Sequence, residues 1–231
     1  MPGFDWVYVN SYEQAVNALE NGVKNISTYE VPLDTLMEYE GEGSALKSFA
    51  DALARNGSCA RLSLVGNKVK SKGARDIANA LKVNMTLTAL DLGSVEIGPA
   101  GAKEIADALK TNESLSYLDL NHNEIGPKGA KSVASALKTN STLTYLSLWQ
   151  NGIASEGAKE IADAIKVNTG LTALVLSANQ IESEGTKHVA DALRVNTTLT
   201  SLDLRYNRIG PAGASVITDL HEVRVAFTSF K

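Results

Sequence analysis

Apolar residues along this chain switch between two spacings. In "LSYLDL", residues 115–120, Leu118 and Leu120 flank a polar position, which is strand spacing, and Leu115 turns inward just ahead of them. In "GAKEIADALKTN", residues 101–112, Ala102, Ile105, Ala106 and Leu109 fall at i, i+3, i+4 and i+7, one stripe of a helix. The pair forms one unit, a short strand followed by a helix, and the unit recurs. "LTALDLGSVEIG" opens at Leu87, "LSYLDLNHNEIG" at Leu115, "LTYLSLWQNGIA" at Leu143, "LTALVLSANQIE" at Leu171 and "LTSLDLRYNRIG" at Leu199, each 28 residues after the last. The same step backwards reaches Cys59 and "CARLSLVGNKVK"; forwards it reaches Phe227 and the truncated "FTSFK".

Polar punctuation supports these boundaries. Pro99, Pro127 and Pro211 sit where a first helical turn accepts proline, and the same column carries Ser71, Ser155 and Ser183, candidate caps. Asn84, Asn112, Asn140, Asn168 and Asn196 follow the last helical leucine, where asparagine can take a left-handed C′ conformation. No unit can cover both its leucine row and its helix stripe, so neighbours must stack and share a core. Helices are wider than the ~4.8 Å strand spacing, so the stack curves with its parallel strands on the concave side and its helices on the convex side.

The pattern L-x-x-L-x-L-x-x-N-x-I at this period, with its "GAKEIADALKTN" helix, resembles the leucine-rich repeats of the ribonuclease-inhibitor class, shared with NOD-like receptors, Ran GTPase-activating protein and tropomodulin. The resemblance covers about residues 43–231 and implies an α/β fold, a right-handed solenoid shaped as a horseshoe. It specifies a frame and leaves function open.

One continuous domain is expected: an N-terminal cap with a degenerate repeat at 1–58, six repeats at 59–226 and a terminal strand stub at 227–231. In the cap, "WVYV" reads as a strand and "SYEQAVNALENG" as a helix opened by a Ser11/Gln14 capping box. "GSALKSFADALARNGS" matches the helical half of a unit, whereas its strand half is degraded into "YEVPLDTLMEYEGEG". Phe227 and Phe230 fall in leucine slots and would plug the far end.

Within each strand segment the third, fifth and seventh positions point out of the concave face, with the eighth at its edge. These four columns vary while the leucines beside them hardly change. They gather a set of expected partner-binding residues: Tyr117, Asp119, Asn121, His122, Tyr145, Trp149, Gln150, Asp203, Arg205 and Tyr206. Tyr117 and Tyr145 should be lateral neighbours, and Trp149 should present its indole to solvent. Tryptophan, tyrosine and arginine are the residue types that most often anchor interfaces. Asp91 and Asp119 lie on adjacent strands, with Asp203 further along the same column, an acidic edge suited to a basic partner.

Catalytic and metal chemistry find little support. His122 stands beside Ser94 and Gln150 with no carboxylate in view to orient its imidazole and no nucleophile elbow. His188 and His221 are scattered, and Cys59 occupies a core leucine slot, so neither a zinc site nor a reactive thiol is expected. "IGPAGA" and "IGPKGA" lack the P-loop lysine and the dinucleotide fingerprint and read as turn chemistry. Neither an enzyme activity nor a cofactor is anticipated.

Composition narrows the picture further. With 44% hydrophobic and 21% charged residues, a net charge of -4 and no apolar run near the ~18–20 residues of a membrane span, neither a membrane nor a nucleic acid is an expected partner. The single cysteine and the absence of a secretory pattern in "MPGFDWVYVNSYEQ" point to a cytoplasmic location, or a host cytoplasm for an effector. The sequons "NGS", "NMT", "NES", "NST" and "NTT" recur with the helix exit and report backbone needs. Asn67, Asn123, Asn151, Asn179 and Asn207 should bond backbone groups between repeats, a ladder that Val95 interrupts with looser loop backbone around it. Lys103 with Asp107, Lys159 with Asp163 and Lys187 with Asp191 are expected as ion pairs of a solvated convex face.

The expected function is a non-enzymatic, monomeric scaffold that binds a protein on its concave face, as a sensor, inhibitor or effector. A regulator of a GTPase resembling Ran GTPase-activating protein and an actin-capping module resembling tropomodulin are the alternatives.

Overall fold

A computed structural model describes residues 7–27 and 45–218 and the backbone of 224–226. The cap comprises β1 (Val7–Tyr8), α1 (Tyr12–Glu20), β2 (Asn25–Ser27) and α2 (Ala45–Arg55). Six strand-helix units follow: β3 (Arg61–Ser63) and α3 (Lys70–Leu81), β4 (Ala89–Asp91) and α4 (Gly98–Leu109), β5 (Tyr117–Asp119) and α5 (Gly126–Leu137). The series continues with β6 (Tyr145–Ser147) and α6 (Ala154–Ile165), β7 (Ala173–Val175) and α7 (Ser183–Leu193), β8 (Ser201–Asp203) and α8 (Gly210–Thr218), then β9 (Arg224–Ala226). All nine described strands form one parallel sheet in sequence order. From β3 to β8 the partners keep the 28-residue step, as in Leu90↔Leu118 and Leu118↔Leu146.

One layer of helices packs on one side of this sheet, and a single core runs between the layers. Leu115, Leu118 and Leu120 face Ile105 and Leu109 of the helix before them in an almost fully buried stack that every unit repeats. The helices approach closely because a glycine faces the neighbouring helix. A Cβ on Gly129 would stand 2.4 Å from Ile125 Cγ2 and 3.2 Å from Ala102 Cβ of the previous repeat. The second glycine of "IGPKGA" thus answers to helix packing; only the first, Gly126 at φ +61°, is turn chemistry.

Two asparagine ladders bind the turns between layers. Asn151 Nδ2 donates to Leu120 O at 2.9 Å, while its Oδ1 accepts from the Asn123 N–H at 2.8 Å, and Asn123, Asn179 and Asn207 repeat this geometry. At Val95 the loop keeps its neighbours' form: Ser94, Glu96 and Gly98 have φ of 55°, 59° and 61°, against 53°, 54° and 61° for His122, Glu124 and Gly126. The expected loosening has no counterpart in conformation. Asn123 Oδ1 still accepts from the Val95 and Ile97 N–H groups, and Leu64 O is bonded by Asn67 Nδ2 at 2.8 Å.

The second ladder corrects the sequence reading of the helix exits. Asn84, Asn112, Asn140, Asn168 and Asn196 are not among the residues of positive φ. Each instead sends its Nδ2 to two carbonyls of the preceding unit, as Asn112 does to Leu81 O at 2.8 Å and Asn84 O at 3.2 Å. Asn56 carries the ladder into the cap, donating to Leu19 O at 2.7 Å. The sequon asparagines Asn84, Asn112 and Asn140 are therefore buried with their amide nitrogens committed, which supports a backbone role for them. The serines of the proline column cap no helix of their own. Ser155 Oγ accepts from the Glu182 N–H, and Ser183 Oγ donates to Ile209 O, so both tie one repeat to the next.

Cap and far end depart from the register. Ser11 caps α1 by accepting from the Gln14 N–H at 3.1 Å, and Gln14 Oε1 accepts from Asn10 N–H, one residue before the cap itself. Ile26 of β2 pairs with Leu62, a step of 36 residues (62 minus 26), so the strand of the degenerate unit is "NIS" and lies ahead of the segment the sequence suggested. That segment, residues 29–43, lies wholly outside the described residues. Tyr12 of α1 meets Phe49 of α2 with ring centroids 5.6 Å apart, sealing the first repeat. At the other end Val225 pairs with Leu202, a step of 23 (225 minus 202) in place of 28. The last described strand thus precedes Phe227; Phe227 and Phe230 lie outside the described residues.

The convex ion pairs also differ in part. Lys103 reaches Asp107 at 2.8 Å as expected, but Asp163 pairs with Lys166 and Asp191 with Arg194. Those partners sit three residues on, at the C-cap, where a cation also meets the negative end of the helix.

Candidate partner-binding face

The sheet face turned away from the helices carries the variable columns. Its backbone is held beyond the strands themselves: His122 N–H donates to Trp149 O at 2.9 Å and Gln150 N–H to Ser177 O at 3.0 Å. Asn151 Nδ2 adds a second bond to Trp149 O at 3.2 Å. Trp149 is thereby displayed from a fixed main chain with its side chain 41% exposed.

Tyr117 and Tyr145 are register partners on β5 and β6, and their rings stack with centroids 4.3 Å apart and planes 4° from parallel. Small side chains, Ala89 and Ala173, stand on either side of the pair in the same row. Burial pushes both hydroxyls above the usual phenol range, and the Asp119 carboxylate adds to the effect.

Asp91 and Asp119 are register partners on β4 and β5. Each folds its carboxylate over the following turn: Asp91 Oδ1 accepts from the Gly93 N–H at 3.0 Å, and Asp119 Oδ1 from the Asn121 N–H and Nδ2, both at 2.9 Å. Burial pushes the Asp91 carboxyl up to about 6, the charge of Asp119 pushes the same way, and the Gly93 bond opposes them. Asn121 lies across Gly93, where a Cβ would stand 2.6 Å from Asn121 Nδ2.

Asp203 and Arg205 form a different arrangement. Arg205 Nε and Nη2 grip the two carboxylate oxygens at 2.9 and 2.7 Å, and the Arg205 N–H adds a third bond at 3.0 Å. Burial alone would raise the Asp203 carboxyl, but these bonds and the guanidinium charge hold it below the usual range. The acidic column is thus neutralised at its far end, and Asp91 with Asp119 carry its net charge.

Rim residues owe their prominence to backbone that the sequence did not announce. His122, Gln150 and Tyr206 have φ of 53°, 52° and 58°, matching Ser94 and Ala178 in the same column, and Tyr206 is 65% exposed. Only Gly66 gives that column the residue best suited to left-handed backbone. His122 lines an open hollow of about 610 Å³ with Glu96 and Glu124, carboxylates that strand alternation does not place near it.

The structure therefore groups Tyr117, Asp119, Asn121 and Tyr145 at the centre, adds Asp91, which the sequence did not include among the contact residues, and sets Asp203, Arg205 and Tyr206 two strands beyond Trp149. Ser147 and Ser177, outward by alternation, are nearly buried. Cys59 is fully buried, and burial lifts its thiol to about 11, out of the reactive range. No group of three or more metal-ligating side chains occurs among the described residues, and none of their helices is long and apolar enough to cross a membrane.

Comparison with known proteins agrees with this architecture. The Leucine Rich repeat family model matches residues 83–106, 111–134, 139–162 and 195–217. The unit between the last two matched segments keeps the same register. No curated protein sequence matches the chain. Among solved structures, the tropomodulin C-terminal domain of Caenorhabditis elegans is similar with a TM-score of 0.52 at 14% identity, over 66% of this chain and 90% of that one. A structure of leiomodin-1 actin-binding site 2 aligns with a TM-score of 0.49 at 25% identity, over 58% of this chain and 77% of that one. The chain is built of leucine-rich repeats stacked as a solenoid, with an open sheet face that presents Tyr117, Tyr145 and Trp149.

Proposed function

We propose that this protein is a non-enzymatic scaffold that binds a protein partner on the open face of its sheet, with Trp149 and the Tyr117–Tyr145 pair as anchors. The observation that carries this reading is the half-exposed Trp149 on a doubly hydrogen-bonded carbonyl, in a column where the frame asks for nothing large. Asp119, Asn121, His122 and Gln150 supply polar contacts around it, and Asp203, Arg205 and Tyr206 a second cluster. A strand and a full helix in each 28-residue unit support placing the repeats in the ribonuclease-inhibitor class, whose frame serves inhibitors and sensors alike. A monomer in the cytoplasm fits the single buried thiol.

Trp149→Ala tests the reading. The exposed indole contributes little to folding, so the variant should keep its melting temperature while losing partners captured from lysate by at least tenfold, the scale of a central interface anchor. Equal recovery with wild type overturns the assignment. Two narrower functions, actin capping and regulation of a GTPase, separate by direct assay. Leiomodin-1 and tropomodulin motivate the first, tested by filament-end elongation; GTP hydrolysis tests the second.

A further inference from the structure

We propose that the partner presents a basic side chain, lysine or arginine, which docks on the stacked Tyr117–Tyr145 pair between the Asp91 and Asp119 carboxylates. The inference rests on the open sheet face being the binding surface and adds the chemistry of its occupant.

Charge complementarity carries it. Asp91 and Asp119 stand directly opposite on neighbouring strands, and among the described residues no cation pairs with either; Oδ1 of each accepts from the Gly93 or Asn121 amides, which leaves Oδ2 for a ligand. Arg205, three strands further along the sheet than Asp119, is committed to Asp203. The groups facing Asp91 are Ser63 and Arg61 from β3 and Asp119 with Tyr117 from β5, so its flank toward the tyrosines is purely acidic and phenolic. Carboxylates of like charge this near raise one another's energy, and an inserted cation relieves both. The tyrosine pair supplies the second half of the recognition. Aromatic faces attract ammonium and guanidinium groups, and here the row beside the pair drops to alanine, leaving space at the ring flanks. Trp149, in the turn that follows the strand of Tyr145, offers the partner a second, apolar contact on the same face.

Hexalysine, fluorescein-labelled, is the probe, with anisotropy measuring affinity and amide chemical shifts locating the site. Asp91→Asn with Asp119→Asn removes two charges from the face; Glu156→Gln with Glu184→Gln removes two from exposed first turns of α6 and α7 and controls for overall charge. Binding should weaken at least tenfold in the first pair and less than twofold in the second, with wild-type shifts centred on Tyr117, Asp119 and Tyr145. Equal losses in both pairs, shifts elsewhere or no binding would overturn the proposal. Asparagine keeps the acceptors for the Gly93 and Asn121 amides, and the single Asp119→Asn variant gives a second reading should the pair fold poorly. Partner loss in Trp149→Ala is scored separately, so a sheet face that binds its partner without a basic anchor is recognised as such.

Discussion

Asp91 shows how a single side chain can sit against the interest of the fold. Its carboxyl is raised to about 6 from an unfolded value near 3.8, so between those values the folded chain holds a proton that the unfolded chain has released. Its stabilising contribution is complete below pH ~3.8 and lost as pH rises through about 6. Asp91→Asn should therefore raise stability at pH 7 by about 1–2 kcal/mol and leave it nearly unchanged at pH 4, as read by urea unfolding at the two values. Equal effects at both would mean the charge plays no part. A carboxylate kept at such a cost is consistent with a role in contact, and Trp149 belongs to the same group of residues that packing does not require.

At the scale of elements, helix spacing is set by the glycine that faces each neighbouring helix. Gly129→Ala puts a methyl within 3.2 Å of Ala102 Cβ and Pro99 Cα, backbone and small side chains that have little room to yield. The substitution should cost about 1–3 kcal/mol, the range for overpacking, in spite of alanine's higher helix propensity. Thermal unfolding checks it. Much of the element pattern was legible in the sequence, because the inward leucines and the Ala102, Ile105, Leu109 stripe are periodic and chemically uniform. The strand "NIS" was not, since Ile26 offers one apolar slot and its spacing to Leu62 breaks the period. The serines and exit asparagines were read as local caps for a related reason: their partners lie about 28 residues away, beyond the window in which a cap is sought.

For the whole molecule, the ladders make stability a property of neighbouring repeats. Asn151→Ala would leave the buried Asn123 N–H without its side-chain acceptor and take one of two amides from Leu120 O, which keeps Asn123 Nδ2 at 3.0 Å. A loss of about 1–3 kcal/mol is expected from that unsatisfied group. In a solenoid, where each unit leans only on its neighbours, the loss should also broaden the unfolding transition as the two sides of the break begin to melt apart. A drop below 1 kcal/mol with an unchanged slope would show that water replaces the amide at little cost.

The sequence by itself determined the repeat, the inward leucines, the parallel order of the strands and the outward placement of Tyr117, Tyr145 and Trp149, because each follows from periodicity within one unit. Tertiary structure decided what periodicity does not encode. It stacked the two tyrosines, closed Arg205 onto Asp203, left Asp91 and Asp119 as the uncompensated pair and turned the exit asparagines into a second ladder. All four depend on the lateral distance between side chains of successive repeats, and that distance exists only once the units have stacked.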